Sequence, residues 1–392
     1  MKAQPITRCI IFLKDAEDKQ LLKPDTRLYG RIIDSAVERI IIMTPYQPPT
    51  KNIPWIGIVQ NRPGFENEQP LLINVAIDGE NILARGFVSN QRIELQADIV
   101  YMAACYERTP FKKSEMDILW QSNVMIIGGG SGGSKIAIEL ARAGFGHITI
   151  CDPQRIEFAN ISRHEGNLWD AGKPKTLAIA EQIYEINPAI TVVTYFEDIF
   201  ELPFEDVKKI FLKSNLVVAA TDKTDIQLAI NELTYNFGIP AVFGGCYEEA
   251  RGGEVLFTLP EKKMPCLACL RAGLKQPQTN STIDYSIAKG SDDYQGQPGL
   301  HAAIDFVTCV EIQICIGILL RNSKTSELGN FINCIPNFIL IGGALGQGFY
   351  RFRKPFDIFF QPLSGPRKTC PVCQNYNQDL KNICTSPEEA KP

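Results

Sequence analysis

A glycine pattern followed by an acidic residue is the first spacing in this sequence that suits a chemical task. Gly128, Gly130 and Gly133 stand in G-x-G-x-x-G register directly after the apolar run 124–127, and Asp152 follows the next apolar run. Glycines there let backbone N–H groups at a helix N-terminus approach phosphates, and an acid about twenty residues on accepts hydrogen bonds from ribose hydroxyls. The pattern predicts a nucleotide site, with a purely structural glycine turn as the alternative.

Polar residues that suit a triphosphate follow the ends of two predicted strands. Asn160, Arg163 and Lys175 lie beyond the strand that carries the aspartate, and Asp222 follows the apolar run 216–219. Ligands of open parallel sheets bind at the carboxyl ends of the strands. The arginine fork and the lysine point charge suit phosphates, and a carboxylate among them suggests Mg²⁺ coordination. Each residue taken singly fits a solvated surface charge equally well, but their joint order favours one shared site.

Two C-x-x-C pairs, Cys266 with Cys269 and Cys370 with Cys373, are about a hundred residues apart. Each pair supplies two thiolates on a tight turn, and two pairs complete a tetrahedral four-cysteine zinc site. Redox-active pairs are the alternative, but neither pair is expected at the start of a helix after a strand, as in a thioredoxin motif. The sequence therefore predicts structural Zn²⁺ that pins the C-terminal tail onto the preceding domain.

The composition is that of a globular chain. Its 392 residues are 45% hydrophobic and 21% charged, enough for two or three domains. A net charge of -4 and a pI of 5.6 argue against nucleic acid or an anionic membrane as the main partner. The most apolar helix candidate, 302–320, contains Asp305, Glu311 and Gln313, which predicts a buried core helix. Residues 1–7 lack a signal-peptide pattern, so a cytoplasmic protein is expected.

The elements that must position these residues alternate between strand and helix. The expected strands are 124–127, 148–151, 190–195, 216–219 and 241–244, with helices at 135–143, 174–186, 204–212 and 225–237. This alternation predicts a Rossmann-like α/β fold, a mostly parallel sheet with helices on both faces. Beyond residue 253 short strands and loops follow, including the loop 276–299, before the zinc-bound C-terminal part.

Residues 1–105 are expected to form a separate, small α+β lobe. Residues 27–42 read as a helix-like segment running into an apolar stretch, whereas 71–77, 82–88 and 93–102 alternate as strands do. The lobe contains no catalytic constellation, so a docking or dimer-shaping role is the hypothesis. Residues 106–392 then form the nucleotide domain with its four-cysteine site.

Between about residues 106 and 375 the chain resembles the ThiF/MoeB-type and ubiquitin-activating adenylating enzymes. The resemblance is carried by the glycine loop, the D-x(7)-N-x-x-R run at 152–163, the G-x-P-K motif at 172–175, the Thr-Asp pair at 221–222 and both cysteine pairs. It implies adenylation, with Mg-ATP, of the C-terminal glycine of a ubiquitin-like or sulfur-carrier protein.

The resemblance also implies a role for each matched residue. Asp152 would hold the ribose, and Asp222 the magnesium. Asn160, Arg163 and Lys175 would bind the phosphates. An arginine before the glycine-loop strand usually reaches an ATP site across a homodimer in this family, and Arg108 is the candidate.

Three departures from the family pattern stand out. His164 replaces the usual glutamine after Arg163, and Lys223 replaces the usual asparagine after Asp222. The third is that no cysteine follows Cys269 by a dozen residues, as it does in members that form a thioester. The adenylate would then pass to an outside nucleophile or a partner conjugating enzyme.

A hydroxyl in place of the missing cysteine is the alternative acceptor. Ser281 and Thr282, with Thr279 beside them, are the candidates, although a Ser/Thr-rich surface loop explains them equally well. Cys246 is ranked below them because it is expected to be buried.

Two other functions compete with adenylation. A catalytically inactive scaffold of this fold could bind a ubiquitin-like protein, but the complete phosphate constellation argues against it. An NAD-dependent oxidoreductase would share the glycine loop, yet it would leave Lys175 and Asp222 without a role.

Overall fold

The computed structural model describes residues 6–34, 38–60, 72–78, 81–88, 91–273 and 298–374. The chain divides into two compact units. Unit 1 comprises Met1–Pro110 with Glu181–Ile190, and unit 2 comprises Phe111–Ala180 with Thr191–Pro392.

Unit 1 is built on a closed β-barrel with strand order β1-β3-β2-β4-β5-β6-β7, in which β1 pairs in parallel with β7 to close the ring. Alternate β1 residues Cys9, Ile11 and Leu13 are fully buried, as the period-2 geometry of a strand requires. The strands are β1 (Ile6–Leu13), β2 (Arg27–Asp34), β3 (Glu38–Thr44), β4 (Trp55–Val59), β5 (Ile73–Asp78), β6 (Asn81–Val88) and β7 (Gln91–Tyr101).

The helix-like reading of residues 27–42 is wrong. Residues 27–34 form β2 and residues 38–44 form β3, and the two strands pair antiparallel with Ile32 opposite Ile41. The segment is rich in isoleucine, whose branched β-carbon restricts χ1 in a helix and packs well on a pleated surface. The described part of the N-terminal lobe is therefore a barrel with short helices rather than an α+β lobe, whereas the three strands predicted after residue 70 are confirmed as β5, β6 and β7.

Unit 2 contains an eight-stranded sheet of order β10-β9-β8-β11-β12-β13-β14-β15. The first five strands of this order are parallel, which confirms the Rossmann-like prediction, and the last three pair antiparallel. Only residues 247–251 join β12 to β13, too few for a parallel crossover. The strands are β8 (Asn123–Ile127), β9 (His147–Cys151), β10 (Thr191–Tyr195), β11 (Leu216–Ala219), β12 (Ala241–Cys246), β13 (Gly252–Thr258), β14 (Phe338–Gly342) and β15 (Ile358–Phe360).

Nine α-helices lie in the described parts of the chain. They are α1 (Ala103–Tyr106), α2 (Lys113–Gln121), α3 (Ser131–Arg142), α4 (Lys175–Ile186), α5 (Phe204–Leu212), α6 (Thr224–Asn236), α7 (Leu267–Gly273), α8 (His301–Leu320) and α9 (Glu327–Cys334). By length and composition alone α8 is apolar enough to cross a membrane, but 61% of its most apolar window is buried inside the protein. It packs on α3, α9, β12 and β13, which confirms the predicted core helix.

Candidate functional site

The carboxyl ends of three adjacent parallel strands, β9, β8 and β11, place the predicted site residues on one edge of the sheet. From β8 the chain crosses to β9 and β10 on one side and then returns to β11 on the other side. Such a change of direction opens a crevice at which ligands of doubly wound sheets bind. Asp152 follows β9, the glycine loop follows β8, and Asp222 follows β11.

The glycine loop is packed where it touches protein and open where a ligand would enter. Gly128 has φ +103°, and a β-carbon there would lie 2.4 Å from the Ala220 carbonyl oxygen. A β-carbon on Gly133 would lie 1.9 Å from the Gly128 carbonyl oxygen, so both positions require glycine. Around Gly130, at the N-cap of α3, nothing lies within 4 Å of such a β-carbon. The loop therefore presents open space at a helix N-terminus, the geometry of an anion site.

Asp152 clamps this loop from the neighbouring strand. Its Oδ2 accepts a hydrogen bond of 2.7 Å from Gly129 N, and its Oδ1 accepts one of 2.7 Å from Gln154 N. The residue is only 6% exposed. A carboxylate can accept about four hydrogen bonds, so the two already made leave acceptor capacity for a ribose.

Lys175 is the first residue of α4 and is 7% exposed. Its Nζ donates to Gln154 Oε1 at 2.7 Å, and its backbone N donates to Gln154 O at 3.0 Å. Gln154 thus joins the lysine to Asp152 in one hydrogen-bonded chain. Sequence reasoning missed Gln154, because a single glutamine in a loop carries no pattern.

His164 holds the other side of the glycine loop. Gly166 N donates to its Nδ1 at 2.8 Å, which assigns the proton to Nε2, and Nε2 then donates to the Gly129 carbonyl oxygen at 2.7 Å. Burial is the main cause that lowers the pKa of His164 below its ordinary 6.5, so the neutral ring is favoured. The sequence marked His164 only as a departure from the family pattern, whereas the structure gives it a supporting role in the site.

The remaining predicted phosphate and magnesium residues lie at the same edge. Asn160 ends a short 3₁₀ helix, where its Oδ1 accepts from Glu157 N at 3.0 Å, and Arg163 follows it in the next turn, half-buried. Asp222 is exposed in the short loop between β11 and α6. An exposed carboxylate and a half-buried guanidinium are both accessible to a ligand at this edge.

The four cysteines of the two C-x-x-C pairs converge. The Sγ–Sγ distances are 4.0 Å for Cys266 to Cys269, 3.6 Å for Cys266 to Cys370 and 3.3 Å for Cys269 to Cys373. Sulfurs bound tetrahedrally to Zn²⁺ at about 2.3 Å are about 3.8 Å apart, whereas a disulfide needs about 2.05 Å. All four residues are buried, and together they form a group that could hold a metal ion. The donor set fits structural zinc.

The first cysteine pair does not have the position that the sequence predicts. Cys266 directly precedes α7, so this pair does stand at the start of a helix. The convergence of both pairs supports a metal site over a redox pair in spite of that position.

Three other predicted residues have different outcomes. Arg108 is exposed between α1 and α2 in unit 1, a position that leaves its role a prediction. Ser281 and Thr282 lie outside the described residues.

Cys246 ends β12 and is exposed as a residue, so the expectation of a buried cysteine is wrong. The thiol group of Cys246 is nevertheless poorly solvated, and this raises its pKa to about 12. The charge of Glu311 is a second, smaller cause of the increase. Little thiolate is therefore present at neutral pH, which keeps this cysteine a poor nucleophile.

Glu311 was predicted only as a polar interruption in a core helix, yet it lies beneath the end of β12. A β-carbon on Gly244 would come within 2.2 Å of Glu311 Oε2, so the carboxyl group fills the space left by this glycine. Glu311 is 4% exposed, and its Oε1 has no hydrogen-bond partner among the described residues. Burial raises the pKa of Glu311 from 4.5 to about 8, which keeps the acid protonated at neutral pH.

Known proteins that are similar to this chain in sequence include adenylyltransferases and activating enzymes. A sulfur carrier protein ThiS adenylyltransferase from Bacillus subtilis is 28% identical over 178 residues, covering 45% of this chain and 51% of that protein. A ubiquitin-like modifier-activating enzyme 5 from Bombyx mori is 27% identical over 199 residues, covering 47% of this chain and 50% of that protein. The chain thus spans about half the length of the curated relatives it matches.

Among solved structures, E. coli MccB with ATP matches with a TM-score of 0.50 and 20% identity, covering 67% of this chain and 69% of that one. This likeness shows the fold. The model of the ThiF family matches residues 106–338, more than half of the chain. The glycine loop, Asp152, Lys175, Asp222 and the first cysteine pair all lie within that match, and the chain belongs to the ThiF family.

Proposed function

We propose that this protein uses Mg-ATP to adenylate the C-terminal carboxylate of a ubiquitin-like or sulfur-carrier protein. The observation that carries the proposal is the hydrogen-bonded network of Asp152, Gln154, Lys175 and His164 around Gly129, set where the strand order reverses. Two relatives named for activating such proteins support the substrate class.

The chemistry is displacement at the α-phosphorus of ATP. A carboxylate oxygen of the carrier protein forms the new P–O bond, the bond to the bridging oxygen of the β-phosphate breaks, and pyrophosphate leaves. The reaction brings one anion up to another, so positioning and charge stabilisation supply most of the catalysis.

The residues of this chain divide that task. The open N-terminus of α3 at Gly130 offers backbone N–H groups to the phosphates. Lys175 would exchange its contact with Gln154 for a phosphate oxygen, and Arg163 and Asn160 would bind the same group. Asp222 would hold Mg²⁺, which neutralises phosphate charge when bound. The four cysteines would hold Zn²⁺ with every coordination position filled by protein, so that ion takes no part in the chemistry.

Exchange of radiolabelled pyrophosphate into ATP, with a carrier protein present, tests the proposal. We expect Lys175→Ala, Arg163→Ala and Asp222→Ala each to lower exchange by about 10²–10³-fold, the typical cost of one such contact. Two neighbours serve as matched controls. Lys173→Ala removes a lysine paired with Asp170 at 2.8 Å, and Asp225→Ala removes an exposed carboxylate from the first turn of α6.

The outcomes separate the proposal from its rivals. Wild-type exchange in Asp222→Ala would refute the magnesium assignment. A folded protein that binds the carrier but shows no exchange would be the inactive scaffold instead. Binding of NAD in preference to ATP would support an oxidoreductase.

The step after adenylation is a further part of the proposal. With no cysteine shortly after Cys269, the acyl group passes to an outside acceptor such as a conjugating enzyme, or to Ser281 or Thr282. Incubation of enzyme, carrier and Mg-ATP distinguishes these routes. An adduct stable to thiols, cleaved by hydroxylamine and lost in Ser281→Ala or Thr282→Ala indicates an oxyester. A thiol-labile adduct excludes it.

A further inference from the structure

Glu165, His301 and Asp305 form a second group whose donor atoms could hold a metal ion, with no residue in common with the four-cysteine cluster. His301 Nε2 is 3.5 Å from Glu165 Oε1 and 3.4 Å from Asp305 Oδ1. The three donor atoms all lie within 4.8 Å of one another. His301 and Asp305 are four residues apart at the start of α8, on successive turns, so they share one helix face. Glu165 directly follows His164, the residue that holds Gly129.

The spacing of these atoms suits ligation better than hydrogen bonding. A charge-assisted N–H···O bond is about 2.7–2.9 Å long, shorter than either contact of His301. Nitrogen and oxygen atoms bound tetrahedrally to Zn²⁺ at about 2.0–2.1 Å are about 3.3–3.4 Å apart. In addition, His301 Nε2 and Asp305 Oδ1 are buried atoms that have no hydrogen-bond partner within the described residues.

The surrounding charges leave room for a cation. Lys135 Nζ lies 3.5 Å from carboxylate oxygens of Glu139, Glu165 and Asp305, and Arg142 lies 3.8 Å from Glu139. Three carboxylates therefore face two cationic side chains, an excess of one carboxylate. The lysine contacts Asp305 through Oδ2, whereas His301 faces Oδ1. On Glu165 the lysine and His301 both face Oε1, so the ion competes with the lysine for that oxygen.

We propose that Glu165, His301 and Asp305 bind a second divalent transition-metal ion of the Zn²⁺ class, separate from the four-cysteine site. One imidazole and two carboxylates are ligands that such ions accept, and three protein ligands leave one coordination position for water. The ion joins the first turn of α8 to the turn after His164. It thereby braces the residue that holds the glycine loop.

The test is a titration of the full-length protein, carrying one Zn²⁺ per chain, with Zn²⁺ alone, followed by calorimetry and by metal analysis after gel filtration. Wild-type protein takes up a second equivalent and its unfolding temperature rises. His301→Ala and Asp305→Asn weaken the second binding by at least the roughly 10–100-fold that loss of a supporting partner of a metal ligand costs. The isosteric Asp305→Asn serves alone if His301→Ala does not fold.

Two control variants separate ligation from a general charge effect. Glu139→Gln removes a carboxylate that contacts the same lysine at the same 3.5 Å, so it retains the second ion if the three named residues are the ligands. Lys135→Met removes the competing cation, so it binds the ion as tightly as wild type or more tightly. A wild type that stays at one ion per chain overturns the proposal. So does a Glu139→Gln variant that loses the ion as fully as Asp305→Asn.

Discussion

His164 connects protonation to the shape of the glycine loop, because its neutral ring accepts from Gly166 N and donates to Gly129 O. Its pKa is lowered in the folded protein, so between that value and the ordinary 6.5 the unfolded chain binds more protons. Stability therefore falls as the pH drops below about 6.5. A protonated ring also loses the acceptor at Nδ1, and pyrophosphate exchange should fall over the same range.

We expect His164→Gln to reduce this loss of stability at acid pH, since the variant has no titrating ring beside the loop. The measurement is the free energy of unfolding by denaturant at several pH values below about 6.5, where stability linked to this histidine is lost. An unchanged slope in His164→Gln would contradict the role assigned to the ring.

Glu311 has the opposite pH dependence. Its pKa is raised from 4.5 to about 8 in the folded protein, so the folded state holds a proton that the unfolded chain releases. Stability linked to this group is highest below pH 4.5 and falls as the pH rises towards 8, by about 1.4 kcal/mol per pH unit at most.

Glu311→Gln should remove that decline, because an amide does not ionise. Denaturant unfolding at several pH values above about 5 measures it. Glu115→Gln is the control, since Glu115 is equally buried but accepts hydrogen bonds from Lys112 N at 3.0 Å and Thr325 Oγ1 at 2.7 Å. That variant should lose stability through these contacts and leave the slope in place. A slope that persists in Glu311→Gln would show that another group causes it.

At the scale of elements, the loop between β8 and α3 contains two kinds of glycine. Gly133→Ala would drive a β-carbon into the Gly128 carbonyl, whereas Gly130→Ala meets no protein atom within 4 Å. We therefore expect Gly133→Ala to lower the unfolding temperature, and Gly130→Ala to fold normally but bind ATP more weakly because its methyl group occupies the phosphate approach. Thermal unfolding and ATP titration of both variants measure this. Equal ATP affinity in Gly130→Ala and wild type would place the phosphates elsewhere.

The parallel half of the sheet could be predicted because most of its strands are short apolar runs next to a helix. The glycine register and Asp152 also predicted at which edge of the sheet the candidate site lies, since those features are local in sequence. The β-barrel of unit 1 could not be predicted in the same way. Its closure pairs Arg8 with Gln96, and no local period reveals such a pairing. The contacts of Gln154, His164 and Glu311 were also hidden, because each depends on a partner brought close only by the fold.

At the scale of the whole molecule, the four-cysteine cluster joins Cys370 and Cys373, near the end of the described chain, to α7 and α6. Leu267 N donates to Asn231 Oδ1 at 2.9 Å, and Tyr235 OH donates to the Met264 carbonyl oxygen at 2.6 Å, so α6 supports the first pair. Structural zinc contributes about 10–16 kcal/mol of apparent binding energy, as much as the entire stability of about 5–15 kcal/mol of a typical domain.

Loss of the ion should therefore unfold much of unit 2 rather than only detach its tail. We expect Cys370→Ser to lower the unfolding temperature sharply and to reduce zinc by one equivalent per chain in metal analysis. Cys334→Ser, at an exposed position in α9, is the matched control and should change neither. A stable, fully folded Cys370→Ser protein without zinc would refute the structural role.

The last prediction concerns the homodimer in which Arg108 of one chain completes the ATP site of the other. If this holds, Arg108→Ala and Asp222→Ala are each inactive alone, yet a co-expressed mixture regains activity. Half of the dimers in an equal mixture contain one chain of each kind. In each of these mixed dimers, one of the two ATP sites has both residues intact. About a quarter of wild-type exchange therefore returns. If Arg108 acts within its own chain, no mixture regains activity, because every site then lacks one of the two residues. Pyrophosphate exchange in the co-purified mixture therefore distinguishes the two arrangements, and light scattering of the wild type shows whether the dimer exists.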